Sequence, residues 1–268
     1  MTPDERLARL RLARTPGVGP VAFAHLTGRF ESAQAALDAL PGLARNAGRS
    51  GPLKIPTPDH ARRELAAGEA LGARLLCCGE ADFPDGLAVL DPPPPILWAC
   101  GDVALLNRAS VAVVGARVAS ASGQRFARQL AAELGQAGLV VVSGLARGVD
   151  GAAHAGALPS GTVAVLGGGV DDIYPREHTD LYGEIVARGC VVPENEPGRT
   201  ATAKDFPRRN RIIAGLSKAI VVVEAELRSG SLITARLAAE QGREVLAVPG
   251  SPLGPRARGC NDLMRQGA

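Results

Sequence analysis

Long apolar stretches are missing from this sequence, and no segment approaches the ~18 uninterrupted apolar residues that a membrane-spanning helix requires. The first residues, MTPDERLARLRLAR, are charged and lack the apolar centre of a secretory signal. The cysteines form no CxxC pair, and their number is odd: Cys77, Cys78, Cys100, Cys190 and Cys260. These features predict a cytoplasmic protein without membrane association, with reduced thiols and without structural zinc.

Lysine and aromatic residues are also scarce. There are 3 lysines against 27 arginines, and aromatic residues make up 3% of the 268 positions. Because alanine, glycine and proline are abundant as well, the arginine bias is typical of a GC-rich genome, and only the placement of arginines is informative. From Arg199 to Lys218 six basic residues accompany one acid, Asp205, whereas the whole chain carries a net charge of only +3. The positive charge is concentrated in this segment.

Signatures of common catalytic sites are absent. The first strand–helix turn of the α/β part reads GARVAS (115–120) instead of GxGxxG, and GxxxxGK[ST], GxSxG and HExxH do not occur. The histidines His25, His60, His154 and His178 are scattered and show no metal-ligand spacing. The sequence therefore predicts no cofactor and no metal, and it argues against a dinucleotide enzyme, a P-loop ATPase and a metalloprotease.

The N-terminal part has the pattern of a small helical unit. Apolar residues recur at helical spacing in residues 4–48, and the Gly- and Pro-rich run 41–58 predicts a linker or a domain boundary. We place a helical domain at 1–50, a linker at 51–60 and a second domain at 61–268. The turn TPGVGP resembles a helix-hairpin-helix turn, whose backbone amides meet DNA phosphates, and arginines precede it; an ordinary helix–helix turn is the alternative.

From residue 110 onward, β-branched runs alternate with helical segments. Unbroken apolar strands that alternate with helices indicate a mainly parallel sheet covered on both faces, as in a Rossmann-like, doubly wound α/β fold. In the first helical segment Phe126, Leu130 and Leu134 recur on one face. Shorter strands are expected earlier, at 75–78 and 96–99. The six core strands are expected at 111–115, 139–144, 162–169, 190–194, 219–225 and 244–250.

Glycine-containing turns follow five of these strands. The carboxyl ends of parallel strands meet at one edge of the sheet, where glycines allow close backbone approach and helix N-termini offer N–H groups to anions. Arg117, Arg147 and Arg228 lie in or beside these turns, so we expect an anion pocket there, although such glycines are also common for steric reasons alone. The acids Asp150, Glu194 and Glu224 can reach this edge, and helix-capping or ion-pairing roles are equally open for them.

The segment FPRRNRIIAGLS (206–217) is the most informative basic stretch. Pro207 predicts a loop followed by a helix, so that Arg208, Arg209 and Arg211 crowd the helix N-terminus. Cations there oppose the helix dipole at a cost of roughly 0.3–1 kcal/mol each, which an external polyanion would offset. Internal ion pairing is the competing explanation, and it fits Arg211 best because two isoleucines follow it.

Several motifs together resemble the DNA-processing protein A (DprA, also called Smf) family. They are VAVVGARVAS, VVSGLARGVDGAAHAGAL, AVLGGGVDDIYP, FPRRNRIIAGLS, VVVEAELRSGSLITARLAAEQGREVLAVPG and GCNDLMRQGA. They occur in the same order over residues 70–268, and as a set they are highly specific. The N-terminal residues fit the SAM-like domain of many members, although that part alone identifies nothing.

This resemblance implies a protein that binds single-stranded DNA in natural transformation, protects incoming strands and loads the RecA recombinase, as a dimer and without nucleotide hydrolysis. It implies that Arg117 meets phosphate and that Lys204 and Phe206 belong to the same site. With few aromatics, we expect binding dominated by phosphates, with strong salt dependence and little base readout. The candidate DNA-binding residues are Gly115, Arg117, Ser143, Gly144, Arg147, Gly167, Gly168, Lys204, Phe206, Arg208, Arg209, Asn210, Arg211, Ser229, Gly230 and Ser231.

Two departures from the family pattern bear on these expectations. Ala116 stands where the family usually has Ser or Thr, which removes a hydroxyl donor. The chain stops at Ala268, where many members continue into a winged-helix-like domain, so a shortened chain and a natural short form are both open. Duplex binding through the N-terminal domain is conceivable. The alternative function is a phosphoribohydrolase-like enzyme, but Leu237 stands where the PGGxGTxxE motif of those enzymes has its glutamate.

Overall fold

The computed structural model describes residues 1–48 and 51–268. These residues form two compact units, Met1–Trp98 and Ala99–Ala268. The end of the predicted first domain, residue 50, lies outside the described residues. The boundary between the two units, after Trp98, lies further along the chain than the predicted linker. The reason is that the fourth helix packs against the first helix and the first strand, and so belongs to the first unit. The division into domains at 51–60 therefore stays a prediction.

The first unit is mainly helical. Three of its four long helices begin at a side chain that accepts a hydrogen bond from the first turn, namely Thr2, Ser32 and Thr57. The Gly- and Pro-rich run 41–58 is not irregular throughout, because the third helix continues through Pro41 and ends at Asn46. The elements are α1 (Pro3–Ala13), α2 (Pro20–Arg29), α3 (Ala33–Asn46), α4 (Pro58–Ala70), β1 (Ala73–Cys77), α5 (Asp85–Ala88) and the start of β2 (Ile96–Gly101).

The arginines before the TPGVGP turn are engaged inside the first unit. Arg14 pairs with Glu64 at 2.8 Å, Arg9 pairs with Glu5 on the same helix, and the Arg11 Nε donates to the Pro56 carbonyl at 2.9 Å. Their charges and donors therefore support the packing of α1, and they do not form a free cationic surface beside the turn.

The second unit contains the predicted mainly parallel sheet, and all six predicted core strands are present. The order is β2-β6-β5-β4-β3-β7-β8, in which every neighbouring pair from β6 to β8 is parallel and the end of β2 pairs antiparallel with β6. The chain runs outward from β3 through β4, β5 and β6 and then returns to β7 on the other side of β3. The strands are β3 (Ser110–Gly115), β4 (Val140–Ser143), β5 (Thr162–Leu166), β6 (Cys190–Pro193), β7 (Ala219–Val223) and β8 (Glu244–Ala247).

Two layers of helices cover the core strands, as the unbroken apolar strands predict. The first layer is α6 (Ala121–Gln136), α7 (Val149–Ala157) and α8 (Thr179–Arg188); the second is α9 (Asp205–Leu216) and α10 (Gly230–Glu240), and α11 (Arg258–Arg265) contacts β8. Leu130 and Leu134 of α6 pack on the core, whereas Phe126 is 43% exposed, so the expected apolar face is only partly buried. The fold is thus Rossmann-like and doubly wound, and a small helical domain precedes it.

The start of α9 corrects one sequence-based expectation. The helix begins at Asp205, two residues before Pro207, and Lys204 is its N-cap. Proline fits the first turn because its missing N–H would have no helical partner there. Phe206 and the arginines therefore lie on the first two turns of a helix, and not in a loop.

Membrane-spanning helices and clusters of metal ligands were searched for among the described residues. No helix among them is long and apolar enough to cross a membrane. They contain no group of three or more His, Cys, Asp or Glu side chains placed to hold a metal ion. All five cysteines are free thiols, and burial raises the pKa of Cys77 to about 11, which keeps that thiol protonated at neutral pH.

Candidate functional site

A pocket of about 860 Å³ opens at the carboxyl edge of the sheet in the second unit. It lies where the direction of strand order reverses, between the loops that follow β3 and β7. Such reversal points are the usual ligand sites of open parallel sheets, because the two loops diverge there and leave a crevice. Half of the sequence-predicted site residues line it: Gly115, Arg117, Phe206, Arg209, Asn210, Ser229, Gly230 and Ser231.

An arginine and two aromatic rings form one side of the pocket. The Arg117 guanidinium carbon lies 5.3 Å from the centroid of the Phe206 ring, within cation–π range. The rings of Phe206 and Tyr174 have centroids 5.5 Å apart and are tilted by 50°. These contacts connect the loop after β3, the loop after β5 and the first turn of α9. Arg117 is exposed and has no acidic partner within the described parts of the chain.

The opposite side is the beginning of α10. Ser229 is its N-cap and accepts a hydrogen bond from the Ser231 N–H at 3.4 Å, and the Gly230 carbonyl accepts a hydrogen bond from the Asn210 amide. The first turn of a helix has N–H groups without helical partners and carries the positive end of the helix dipole. This side of the pocket can therefore receive an anion.

Arg209 forms the floor of the pocket and is buried. Its guanidinium donates to the Gly144 carbonyl at 2.7 Å and also to the Val165 carbonyl, at the ends of β4 and β5. Burial lowers the pKa of Arg209 to about 10, against the opposing effect of nearby Asp150, so the group stays charged at neutral pH. Arg209 thus binds two strand ends to α9, and its charge acts on the pocket from below.

The charges of the pocket lining are balanced in number. Arg117, Arg209 and Arg228 accompany Asp150, Asp172 and Glu226. Two of the three acids are already bound by backbone groups: Asp150 accepts from the Gly144 and Ala146 N–H groups, and Asp172 accepts from the Ala201 N–H at 2.8 Å. The exposed positive groups of the lining are therefore Arg117 and Arg228, and the α10 N-terminus lies beside Arg228.

At several residues of the predicted glycine-containing turns, other groups of the protein occupy the adjacent space. Ser143 is fully buried and donates to the Val113 carbonyl, and a Cβ atom on Gly144 would collide with the Arg209 guanidinium. At the end of β5, a Cβ atom on Gly168 would collide with the Asp172 carboxylate. Gly167 lies beside the Phe206 ring. These residues lie outside the pocket lining, and packing explains the lack of a side chain at Gly144 and Gly168.

The remaining predicted cations also lie outside the lining. Arg147 is exposed and pairs with Glu177 on the surface. Lys204 is exposed at the start of α9. Arg208 and Arg211 share Glu194, at 3.5 and 2.6 Å, and Arg211 is the more buried of the two. Among the three arginines of the basic segment, only Arg209 contributes to the pocket, and Arg211 has the internal ion pair that its apolar neighbours suggest.

The sequence left the roles of the acidic residues Asp150, Glu194 and Glu224 open, and the structure shows the contacts of each. Glu224 accepts from the Ser120 N–H at 2.8 Å and from its hydroxyl, and so holds Ser120, the N-cap of α6, in place. Glu194 is an ion-pair partner. Asp150 lines the pocket, but it is buried and bound to backbone N–H groups at the start of α7. Burial raises the pKa of Asp150, and the neighbouring Arg209 opposes that change.

Sequence reasoning missed Tyr174, Asp172 and Thr200 as pocket residues, and Arg228 was noted only as a neighbour of the turns. The residues Asp172 and Tyr174 lie within the quoted motif AVLGGGVDDIYP. An aromatic residue a few positions after a strand end is the signal that could have identified Tyr174, because that position faces the same edge as Arg117.

The fold and the site define a Rossmann-like protein with a small helical N-terminal domain and a pocket of arginine and aromatic side chains at the carboxyl edge of its sheet. The family model for DNA recombination-mediator protein A matches residues 74–268, and the model for the DprA-like N-terminal HHH domain matches residues 3–67. The chain belongs to the DNA recombination-mediator protein A family.

Individual relatives agree with this assignment. The DNA processing protein DprA of Bacillus subtilis (strain 168) is 40% identical over 209 residues, which cover 77% of this chain and 70% of that protein. The crystal structure of DNA processing protein A from Streptococcus pneumoniae superposes with a TM-score of 0.77 at 30% identity and covers 100% of this chain and 94% of that chain.

A second solved structure is that of DNA processing protein A from Helicobacter pylori, which gives insight into the single-stranded DNA binding mode of that protein. It has a TM-score of 0.68 at 32% identity and covers 73% of this chain and 88% of that chain. The present chain spans 50–70% of the length of four curated relatives, those from Bacillus subtilis, Escherichia coli, Synechocystis and Streptococcus pneumoniae.

Proposed function

We propose that this chain binds single-stranded DNA in natural transformation and holds phosphates of the strand in the pocket at the carboxyl edge of its sheet. The observation that carries the proposal is the Arg117 guanidinium, which is exposed, lines the pocket, lies over the Phe206 ring and has no hydrogen-bond or ion-pair partner within the described residues. A cation in this position retains its charge and its hydrogen-bond donors for an external phosphate.

Two further groups support phosphate binding at the same place. The start of α10 offers backbone N–H groups, and Arg228, which is exposed, stands immediately before its N-cap. Lys204 adds an exposed positive charge at the start of α9, outside the pocket lining. An extended strand can meet Arg117 with one phosphate and the α10 terminus with another, whereas the balanced lining charge leaves no excess for a compact, highly charged ligand.

The family relationship supports the choice of ligand. The Helicobacter pylori relative is described as binding single-stranded DNA, and it is 32% identical over 73% of this chain. We extend the proposal to loading of RecA onto the bound strand, to a homodimer and to a cytoplasmic location. Duplex DNA is the second candidate ligand, and the internal contacts of Arg9, Arg11 and Arg14 do not favour it.

A non-enzymatic role is part of the proposal. The alternative, a phosphoribohydrolase-like enzyme, needs a glutamate on the helix after the glycine-containing turn, and the corresponding Leu237 lies outside the pocket lining. The lining acid Asp150 is buried and accepts hydrogen bonds from two backbone N–H groups, which favours a structural role for it. Release of free base from nucleoside monophosphates would contradict this part of the proposal.

The decisive experiment is a fluorescence anisotropy titration of a labelled single-stranded oligonucleotide over a salt series. The wild-type chain is expected to bind at low salt and to lose affinity linearly on a log–log plot as salt rises. Arg117→Ala should weaken binding roughly tenfold for all sequences and reduce the salt slope by about one. The matched control is Arg236→Ala, an exposed arginine paired with Glu240 on α10, outside the pocket lining.

The outcomes are distinct. Failure of the wild-type chain to bind any single strand at low salt would overturn the proposed function. Equal binding by wild type and Arg117→Ala would remove this pocket from the interface while leaving DNA binding in place. RecA loading is tested by comparing the rate of RecA filament formation on bare and protein-bound strands, and a rate unchanged by the protein would contradict that extension.

A further inference from the structure

The loop that connects β6 to α9, residues 194–204, has no helix or strand of its own. Three of its residues nevertheless line the pocket, namely Thr200, Ala201 and Ala203, and Phe206 follows on the first turn of α9. Ordering a segment that has no regular backbone pairing costs conformational entropy, so contacts with other segments must keep it in one conformation. The part of the chain that follows β5 supplies these contacts.

Two neighbouring aspartates after β5 bind backbone N–H groups of this loop. The Asp171 carboxylate accepts from the Gly198 N–H at 2.7 Å, and the Asp172 carboxylate accepts from the Ala201 N–H at 2.8 Å. Hydrogen bonds to a carboxylate are stronger than those between neutral groups. Because the two acceptors are adjacent in the sequence, one short segment holds the loop at two points.

The glycine turn at the end of β5 contacts the same loop directly. The Asn195 side-chain amide donates to the Gly167 carbonyl at 2.6 Å, and the Gly169 N–H donates to the Arg199 carbonyl at 2.7 Å. The two backbones approach closely, since a Cβ atom on Gly169 would lie 2.4 Å from the Glu196 carbonyl oxygen. The loop after β6 is therefore packed against the turn after β5 along much of its length.

Asp172 has an unfavourable position for an acidic residue. It lines the pocket that is proposed to hold phosphate, whereas Asp171 is exposed and lies outside the lining. Like charges repel at close range, so the Asp172 carboxylate by itself opposes an anionic ligand. Its position is explained if the hydrogen bond from the Ala201 N–H favours binding by more than this repulsion disfavours it.

We infer that Asp172 is a positioning residue for the bound strand, and that it keeps the loop 194–204 in the conformation that binds DNA through its contact with the Ala201 N–H. The inference rests on the proposed binding of single-stranded DNA. When a loop samples other conformations, the apparent dissociation constant rises in proportion as the competent fraction falls. Asp172 therefore acts on affinity without contacting a phosphate, and it leaves the number of displaced counterions unchanged.

The experiment is an anisotropy titration of labelled oligo(dT) over a salt series. Asp172→Ala should weaken binding about fivefold, the effect of one lost hydrogen bond, and leave the salt slope unchanged. Asp172→Asn keeps an oxygen acceptor for the Ala201 N–H and removes the charge, so it should bind at least as tightly as the wild type. The matched control is Asp180→Ala, which removes an exposed acid from the first turn of α8, outside the pocket lining, and should not change the affinity.

The sign of the change separates positioning from simple electrostatics. If the only effect of Asp172 were to repel phosphate, Asp172→Ala and Asp172→Asn would both bind more tightly than the wild type. If Asp172 positions the loop, the two variants differ, and only the one that keeps the acceptor retains affinity. A change in salt slope separates this effect from that of Arg117→Ala, which removes a phosphate contact.

Hydrogen exchange measured by mass spectrometry tests the loop without DNA. The peptide that contains Gly198 and Ala201 should exchange faster in Asp172→Ala than in the wild type, and peptides from α6 should not change. If Asp172→Ala fails to fold, Asp171→Ala replaces it, because Asp171 is exposed and holds the same loop. Asp171→Ala should accelerate exchange of this peptide and weaken binding about twofold.

Three results would overturn the inference: wild-type or tighter binding by Asp172→Ala, an equal loss in Asp172→Asn and Asp172→Ala, or unchanged exchange of the loop peptide. In each of these cases the Arg117→Ala titration still decides the proposed function. Failure of the wild-type chain to bind oligo(dT) at low salt would overturn both.

Discussion

The guanidinium of Arg209 fills the space in which a Cβ atom on Gly144 would have to lie. The same guanidinium donates to the Gly144 carbonyl and to the Val165 carbonyl, so one side chain of α9 connects the carboxyl ends of β4 and β5. Phe206 lies one turn earlier on the same helix, and the position of the pocket side that contains Phe206 therefore depends on this buried arginine.

Gly144→Ala is expected to destabilise the protein, because the new methyl group must displace a buried, charged side chain. We expect the free energy of unfolding to fall by about 3 kcal/mol, measured by urea denaturation. Gly183→Ala is the control: this helical glycine has no neighbour within 4 Å of a new Cβ atom, and the substitution should stabilise α8 by about 0.5–1 kcal/mol. Equal stability of the wild type and Gly144→Ala would show that Arg209 does not occupy this space.

Arg209→Met should cost about 3–5 kcal/mol in the free energy of unfolding, because it removes the donors to two strand carbonyls and leaves Asp150 buried without its nearby positive charge. Adding Asp150→Asn should cost less in the Arg209→Met background than in the wild type, since the amide carries no charge. A double-mutant cycle in urea measures this coupling, which we expect to be about 1 kcal/mol or more. Additive effects would mean that the two groups do not interact.

The burial of His154 should make the free energy of unfolding depend on pH. The ring is fully buried: its Nε2 accepts from the Leu145 N–H, so Nδ1 carries the proton and donates to the Thr162 hydroxyl at 2.9 Å. Burial lowers the pKa of His154 from 6.5 to about 3. Between these values only the unfolded state binds the proton, so the free energy of unfolding should fall with decreasing pH, by up to ~1.4 kcal/mol per pH unit.

Urea denaturation of the wild type between pH 7 and pH 4 measures this slope. His154→Gln removes the titrating group and should flatten the dependence, whereas His25→Gln, at an exposed position of α2, should leave it unchanged. A wild-type slope that survives in His154→Gln would assign the acid sensitivity to other groups.

The contact of Glu224 with Ser120, the N-cap of α6, gives a fourth prediction. The carboxylate binds the N–H and the hydroxyl of Ser120 at the positive end of the helix dipole. Glu224→Gln keeps the shape but removes the charge, and it should lower the free energy of unfolding by about 1 kcal/mol. Glu240→Gln at the exposed end of α10, where only a surface pair with Arg236 is lost, should change it by less than about 0.5 kcal/mol. A similar loss for both variants would argue against a stabilising effect of the Glu224 charge at the N-terminus of α6.

The fold could be predicted well from the sequence because the runs around Val113, Val141 and Val221 are apolar and β-branched without interruption, which is typical of strands buried on both faces. The start of α9 was misplaced because Pro207 is equally compatible with a loop and with a first helical turn. The antiparallel pairing of β2 with β6 depends on contacts between distant segments, which no local pattern records.

The candidate site was predictable in part. The edge of the sheet and Arg117 follow from the parallel topology, since strand ends and the loops after them must meet there. Local patterns do not distinguish a glycine that admits a ligand from one that admits a side chain of the protein, and Gly144 and Gly168 are of the second kind. The burial of Arg209 and the exposure of Tyr174 arise from tertiary packing, so they became visible only in the structure.

The pocket at the reversal point of the sheet also has a consequence for the order of events during synthesis. Its lining begins at Val114 on one side of the crevice and ends at Thr234 on the other, so its two sides leave the ribosome far apart in time. A nascent chain that has released β3 to β6 has the Arg117 side but lacks α10. The complete pocket therefore forms only after most of the second unit has been synthesised.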